Sequence, residues 1–408
     1  MHLTPEEQAL LDGAAGRAAQ KSMQILSALG EIYGAERLIP VSSVQIAGVS
    51  YDNLGEAGLA FLEEMAQGGG RARVLATLNP AGTDIEAWQP LGISEEFARN
   101  QERVIAAFTR MGVAATCTCT PYLAGNVPEF GDHIAWAESS AVCYANSVLG
   151  ARSNREGGPS ALAAALTGRT PEYGYHLAEA RRPRVHVRVA ARPPDSATYA
   201  THWFGALGKA MGEKLESSGG RPVPYISGIA HAALEELKAF CASLATYGGT
   251  ALFHIPGVTP EAGLYKPPDE DITITQAELE AALDSLSDAS PAEVDFVSLG
   301  CPHLSLPEIA RLAELLQGKT VVKEFWVTTA RPVRQLADRL GYTRTIEASG
   351  ARFAVDTCCV VAPIRGRFAA LATDSAKACY YAYAKNRFKT VFQSFEQVVQ
   401  TAIGEAAA

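Results

Sequence analysis

SVQIAGVSYDNLGEAGLAFLEEMAQGGGRARVLATLNPAG, residues 43–82, holds two short apolar runs, 43–47 and 73–78, on either side of helix-spaced apolar positions at 56–66. Strand, helix and strand in this order are the rhythm of a βαβ unit, which predicts a parallel sheet in an α/β protein. Each run stops at a loop of small residues, Gly48-Val49-Ser50 after the first and Asn79-Pro80-Ala81-Gly82 after the second. In such sheets ligands bind beyond the carboxyl ends of the strands, so these loops are candidate sites of chemistry.

The same alternation extends outward. Upstream, residues 5–33 carry apolar positions at helical spacing and predict a long helix or a helical hairpin. Downstream, a helix over 96–111 leads into the apolar turn 112–115, read as a strand that ends in Thr116-Cys117-Thr118-Cys119-Thr120-Pro121-Tyr122. Between 181 and 194, Val185, Val187 and Val189 alternate with His186 and Arg188, the pattern of a half-exposed strand in a second subdomain. Gly219-Gly220 and residues 222–224 read as its internal punctuation. The Pro-rich, charged run Lys266-Pro267-Pro268-Asp269-Glu270-Asp271 is the best linker candidate, and a third unit is predicted to begin near it. Its strands are expected at 294–299, 320–327 and 352–361, two of them ending in Gly300-Cys301-Pro302-His303 and Asp356-Thr357-Cys358-Cys359. Three α/β units follow: 1–165 with the Gly48, Asn79 and Cys119 loops, 166–270, and 271–408 with the Cys301 and Cys358 loops.

Composition narrows the class. A chain of 408 residues exceeds one ordinary domain, and 48% apolar with 19% charged residues fits a folded protein and not a disordered one. A net charge of −9 without a basic block disfavours nucleic acid as a partner. No run of about eighteen uncharged apolar residues is present, and the opening MHLTPEEQALLDGAAG is acidic where a signal peptide is basic and then apolar. A cytoplasmic protein without membrane contact is therefore expected. Eight cysteines without a Cys-x-x-Cys pair predict free thiols, and any metal must draw its ligands from distant segments.

Cys143, Cys241 and Cys379 lie in apolar or helical patterns and are expected to pack in the core. Cys119, Cys301 and Cys358 differ, since each stands at a predicted strand or its end beside Pro, Thr or Gly. Three thiolates at strand ends suit an iron–sulfur cluster, in which one iron without a protein ligand acts on a substrate hydroxyl as a Lewis acid. That is the logic of a hydro-lyase. Residues 117 and 119 face the same side of a strand, so alternation does not choose between them, and Cys119 is preferred for its place at the Thr-Pro turn. In Cys358-Cys359 an extended backbone points the side chains oppositely, so one is a ligand and the other packs. Cys358, nearest the Asp356-Thr357 turn, is the preferred ligand.

These residues, together with Ala47-Gly48-Val49-Ser50-Tyr51, Thr77-Leu78-Asn79-Pro80-Ala81-Gly82, Ala137-Glu138-Ser139-Ser140-Ala141 and the stretch from Ala145-Asn146-Ser147 to Gly157-Gly158, make the chain resemble aconitase X. This is a branch of the aconitase superfamily, and the likeness is to the large subunit of its two-chain form. The resemblance implies an aconitase-like α/β fold with several α/β/α subdomains around a central iron–sulfur cleft. It implies a 4Fe–4S cluster, in some cases recovered as 3Fe–4S, held by Cys119, Cys301 and Cys358. It implies substrate contacts at Gly48, Val49, Ser50, Asn79, Pro80, Glu138, Ser139 and Lys377. The reaction implied is dehydration of (R)-5-phosphomevalonate to trans-anhydromevalonate 5-phosphate, in a modified mevalonate route to isoprenoids.

Small residues and strand-end amides at 48–50 suit carboxylate or phosphate oxygens, and Lys377 supplies a point charge for an anion. On local sequence alone, Glu138-Ser139-Ser140 reads as a helix start with Ser as cap and Glu solvated, and Lys377 as a solvated helical lysine. Arg152 and Arg155 are candidates for supporting the site, and His303 either acts in acid–base chemistry or orients its loop. No general base stands out in this chain. The resemblance places a serine base on a separate small swivelling-domain subunit, so a heterodimer is expected. The alternatives are a cis-3-hydroxy-L-proline dehydratase of the same architecture and a non-catalytic iron-sensing relative.

Overall fold

Five parallel strands lie in the spatial order Arg352–Val355, Glu324–Thr329, Phe296–Leu304, Ala370–Thr373 and Lys389–Phe392 in the computed structural model, which describes residues 1–193, 199–217 and 221–405. Helices Leu306–Leu316, Arg331–Arg339 and Phe395–Ile403 bury their apolar stripes against this sheet, together with Val297, Leu299, Val327 and Ala372. A parallel strand covered on both faces must be apolar almost throughout, and every residue of Phe296–Leu304 except Cys301 is buried.

A second parallel sheet, Leu75–Leu78, Ser43–Ile46 and Ala135–Trp136, contains the predicted βαβ unit. Its crossover helix, Tyr51–Gln67, packs Leu59, Leu62 and Met65 into the core beneath the strands. Residues 5–33 form a hairpin of two helices, Pro5–Leu11 and Arg17–Ile32. The 112–115 turn is not a strand, as Ala114 makes one isolated parallel bridge to Thr77. Beyond it Cys117 turns into the left-handed region at φ 42°, so strand alternation does not apply to Cys117 and Cys119.

The third parallel sheet places Val185–Val189 between Pro224–Ser227 and Asp271–Ile274. Asp271, read as the end of a linker, thus opens an edge strand, and the expected seam between 270 and 271 falls at the start of a strand of this sheet. Helix Gln276–Asp284 packs with it through Leu279 and Ala282. Helices Thr201–Ser217 and Leu234–Gly248 approach so closely that a Cβ on Gly212 would lie 2.8 Å from the backbone nitrogen of Gly248. Gly219-Gly220, read as punctuation, and Pro194 lie outside the described residues. Among the described residues no helix is long and apolar enough to cross a membrane.

Backbone ties join the two large parallel sheets. The Ala81 amide donates to the Asp356 carbonyl at 2.8 Å, and the Val355 amide donates to the Asp84 carboxylate at 3.1 Å. Arg331 spans the same junction, donating to Asp84, Glu86 and Asp356. The loops at the carboxyl ends of the strands consequently share one cleft.

Candidate functional site

Cys119, Cys301 and Cys358 line a single cavity of about 210 Å³. Asn79 and Pro80 enter it from the loop after Leu75–Leu78, and Glu138 and Ser139 from the loop after Ala135–Trp136. Lys377 enters from the first turn of the helix that follows Ala370–Thr373.

Each thiol is buried enough to resist ionisation. Burial pushes Cys301 up to about 12, with the neighbouring Cys358 adding to the shift. Burial raises Cys119 further, again with Cys358, Glu138 and Cys301 contributing. Burial also raises Cys358, with the nearby backbone amides of Val360 and Val361 and then the Lys377 charge acting against it. The His303 amide donates to Cys119 Sγ at 3.3 Å, and Ser375 beside Cys301 acts against the rise of its pKa. Three thiols gathered in one cavity, whose thiolate forms would repel one another, suit a bound cationic centre that would displace their protons. Among the described residues no three His, Cys, Asp or Glu side chains close around one ion. An iron–sulfur cluster would be held by Cys119, Cys301 and Cys358 without requiring their sulfurs to converge on a single ion. The Thr357 hydroxyl, next to Cys358, is buried without a partner, and a sulfide is the kind of acceptor that would satisfy it.

The other cysteines separate from this set. Cys117 packs with Ala81 and Val113 in the core of the first unit, and Cys359 packs with Phe296 and Trp326 behind the cleft. Cys143 and Cys241 lie in the core of the second unit with Cys379.

Lys377 is 8% exposed and Glu138 6%, and the two form an ion pair in the cavity wall. Burial works against both charges. For Glu138 the Lys377 charge and donors from Lys377, Ser140 and the Ala141 amide outweigh it, so the carboxyl lies below its usual range. For Lys377 the Glu138 charge, then Cys301 and Cys119, outweigh it, so the ammonium is retained. Glu138 also caps helix Ser139–Tyr144 through the Ala141 amide at 3.0 Å. The local sequence predicts the helix start, but with a serine as cap and Glu138 solvated, whereas Glu138 is itself the cap and is buried. Lys377 is not the solvated lysine its local sequence suggests.

Gly48, Val49 and Ser50 stand beside the cavity without lining it. The Val49 side chain is in the core, and the Ser50 hydroxyl donates to the carbonyl of Val361, which does line the cavity, at 3.0 Å. Arg152 and Arg155 turn away, toward the carbonyls of His176 and Gly249. Gln45 was not singled out by the sequence reading. It is fully buried, and its amide bridges the site by donating to Asn79 Oδ1 at 3.1 Å and accepting from the Glu138 amide at 2.9 Å. A lone amide side chain inside an apolar strand was the available signal. Tyr381 and Lys385, also unpredicted, line the cavity near Asn53.

Family models described as the first, second and third domains of Aconitase X match residues 1–179, 183–284 and 294–404. The chain belongs to the aconitase X family. This aconitase X chain is similar to the phosphomevalonate dehydratase large subunit of Methanothermobacter thermautotrophicus, at 47% identity over 93% of this chain and 94% of the relative. The protein of that name from Methanocaldococcus jannaschii is 43% identical over 98% of this chain and 100% of its own length. A cis-3-hydroxy-L-proline dehydratase of Pseudomonas aeruginosa is 34% identical, and the match spans 98% of this chain but 69% of that protein. The fold matches the crystal structure of Thermococcus kodakaraensis aconitase X in its holo-form, with a TM-score of 0.91 and 42% identity over 98% of this chain and 100% of that one. Membership in the family points to an iron–sulfur cofactor, and the name of the first two relatives points to a small-subunit partner.

Proposed function

We propose that this chain is the large subunit of a cytoplasmic hydro-lyase that dehydrates (R)-5-phosphomevalonate to trans-anhydromevalonate 5-phosphate. The observation that carries this reading is the meeting of three thiols and a buried Lys–Glu pair in one cavity, in a chain 43–47% identical to proteins named for that reaction. Cys119, Cys301 and Cys358 would hold a 4Fe–4S cluster. When bound, such a group supplies Lewis-acid chemistry for the departure of a hydroxyl.

The chain's own residues supply binding and charge. Lys377, held as an ammonium by Glu138, offers a fixed positive charge to the substrate carboxylate and stabilises the negative charge that develops as the adjacent carbon loses its proton. Asn79 and Ser139 offer neutral polar contacts at strand-end loops fixed by Gln45. Gly48, Val49 and Ser50 flank the cavity where an anionic end of the substrate would lie. The proton acceptor is a serine on a small subunit that covers the cavity.

Anaerobic turnover by the chain, with and without its small subunit, tests the reading with phosphomevalonate and cis-3-hydroxyproline as rival substrates. Water loss from phosphomevalonate that needs both chains is the expected result. Turnover of hydroxyproline alone would overturn the substrate, and full activity of the isolated chain would overturn the division of labour.

A further inference from the structure

His303 touches every segment that carries a candidate ligand. It follows Cys301-Pro302 in the chain, and its backbone amide donates to Cys119 Sγ at 3.3 Å. Its ring Nε2 lies 3.0 Å from the carbonyl oxygen of Thr357, the residue before Cys358. Its Nδ1 lies 2.9 Å from the hydroxyl of Thr118, the residue before Cys119. The His303 carbonyl in turn accepts from Lys238 Nζ at 3.0 Å, and Lys238 is itself buried in an ion pair with Glu308.

The contact to Thr357 assigns one of the ring's protons. A carbonyl oxygen only accepts, so Nε2 carries the hydrogen donated to Thr357. Nδ1 meets the Thr118 hydroxyl, a group that both donates and accepts, and that hydroxyl also lies 3.0 Å from Thr120 Oγ1 and accepts from the Thr120 amide at 3.1 Å. Both ring nitrogens are spent, the residue is 0% exposed, and it does not line the cavity. A side chain so placed faces the loops that carry the candidate ligands and not the cavity.

We infer that His303 is a positioning residue that locks the Cys119, Cys301 and Cys358 loops into one cradle, with its amide on Cys119 Sγ, its Nε2–H on Thr357 and its Nδ1 on Thr118 as the links. The inference rests on the reading that these thiols hold an iron–sulfur group. Hydrogen bonds from the polypeptide to ligand sulfurs tune and retain such a group, and loss of an outer partner of a metal ligand costs about 10–100-fold in metal affinity. Gly300 adds to the fixation. Its φ is 107°, and a Cβ there would lie 2.2 Å from the Thr328 carbonyl oxygen, so the backbone leading into Cys301 admits no side chain.

The test uses the full chain with its small subunit, reconstituted anaerobically with iron and sulfide. Iron per chain, visible circular dichroism and the rate of iron loss to a chelator are measured alongside thermal unfolding of the apo-protein. The His303→Ala variant is expected to lose iron at least tenfold faster than the parent and to change the visible spectrum. His303→Gln, whose amide NH₂ reaches toward Thr357, is expected to recover part of the difference. Thr118→Val removes the hydroxyl that meets Nδ1 and Thr120 but leaves the imidazole in place, and is expected to fall between parent and His303→Ala, so it carries the test if the alanine variant does not fold. A parent that binds no iron under these conditions overturns the iron–sulfur reading itself. A parent that binds iron, with variants that match its spectrum and release rate, overturns the role of His303 alone.

Discussion

Lys377 and Glu138 are 239 positions apart in the chain and form one ion pair in the cavity wall. Removing one member of a buried pair leaves an uncompensated charge, at a cost of about 3–5 kcal/mol. Lys377→Met should therefore lower the stability of the chain by about 3 kcal/mol and cut turnover by roughly 100-fold or more, as expected where a charge aimed at the transition state is lost. Combining it with Glu138→Gln should restore most of the stability and none of the activity. Denaturant unfolding and steady-state kinetics on the two variants check this, and recovery of activity in the double variant would remove Lys377 from the machinery.

The neighbouring cysteines give a sharper contrast. Cys119→Ala and Cys358→Ala should abolish iron binding after anaerobic reconstitution. Cys117→Ala and Cys359→Ala, which change residues packed in apolar surroundings, should keep the iron and lose about 1 kcal/mol of stability. Iron and sulfide analysis of the four variants decides the matter, and iron retained by Cys358→Ala but lost by Cys359→Ala would exchange their roles.

Arg331 holds the junction of the two large sheets, with Asp84 at 2.9 Å, Glu86 at 2.7 Å and Asp356 through both Nε and an NH₂ group. A lysine has one point charge where this site uses a planar fork. Arg331→Lys is accordingly expected to destabilise the chain by about 2 kcal/mol, allowing for the partial exposure of the arginine. The expected readout is a lower urea midpoint, together with faster proteolysis near residues 84–90. An unchanged midpoint would show that the clamp contributes nothing to stability.

His176 gives a pH dependence with a definite sign. Burial first, then His133, Arg181 and Arg152, lower its pKa to about 3, against about 6.5 in an unfolded chain. The unfolded state takes up the proton first as pH falls, so the contribution is intact above about pH 6.5 and is lost progressively down to about 3. Between pH 7.5 and 5.5 the parent should lose about 1.4 kcal/mol more stability than His176→Asn. Urea titrations at the two pH values measure the difference, and parallel losses in both proteins would refute it.

Periodicity made the βαβ unit at 43–82 legible, because alternating burial of one sheet and one helix stripe leaves its mark on neighbouring residues. The Lys266–Asp271 region misled for a related reason. Strand Asp271–Ile274 lies at a sheet edge with only Ile274 buried, so its composition is that of a solvated loop. The cysteine segment at 117–119 was read as strand because its left-handed turn at Cys117 has no glycine to announce it. Lys377 was opaque locally, since its burial is made by Glu138 from another sheet. Gln45 and His303 show the same limit, as their partners are set by the tertiary fold and not by adjacent sequence.

The cleft walls come from segments that begin at residue 53 and end at residue 385. Nothing resembling a three-thiol cradle exists on a nascent chain until its final segment has left the ribosome and docked. Loading with iron is on this view a late checkpoint in biogenesis, and fragments truncated before Cys358 should be blind to the metal however well their first sheet forms.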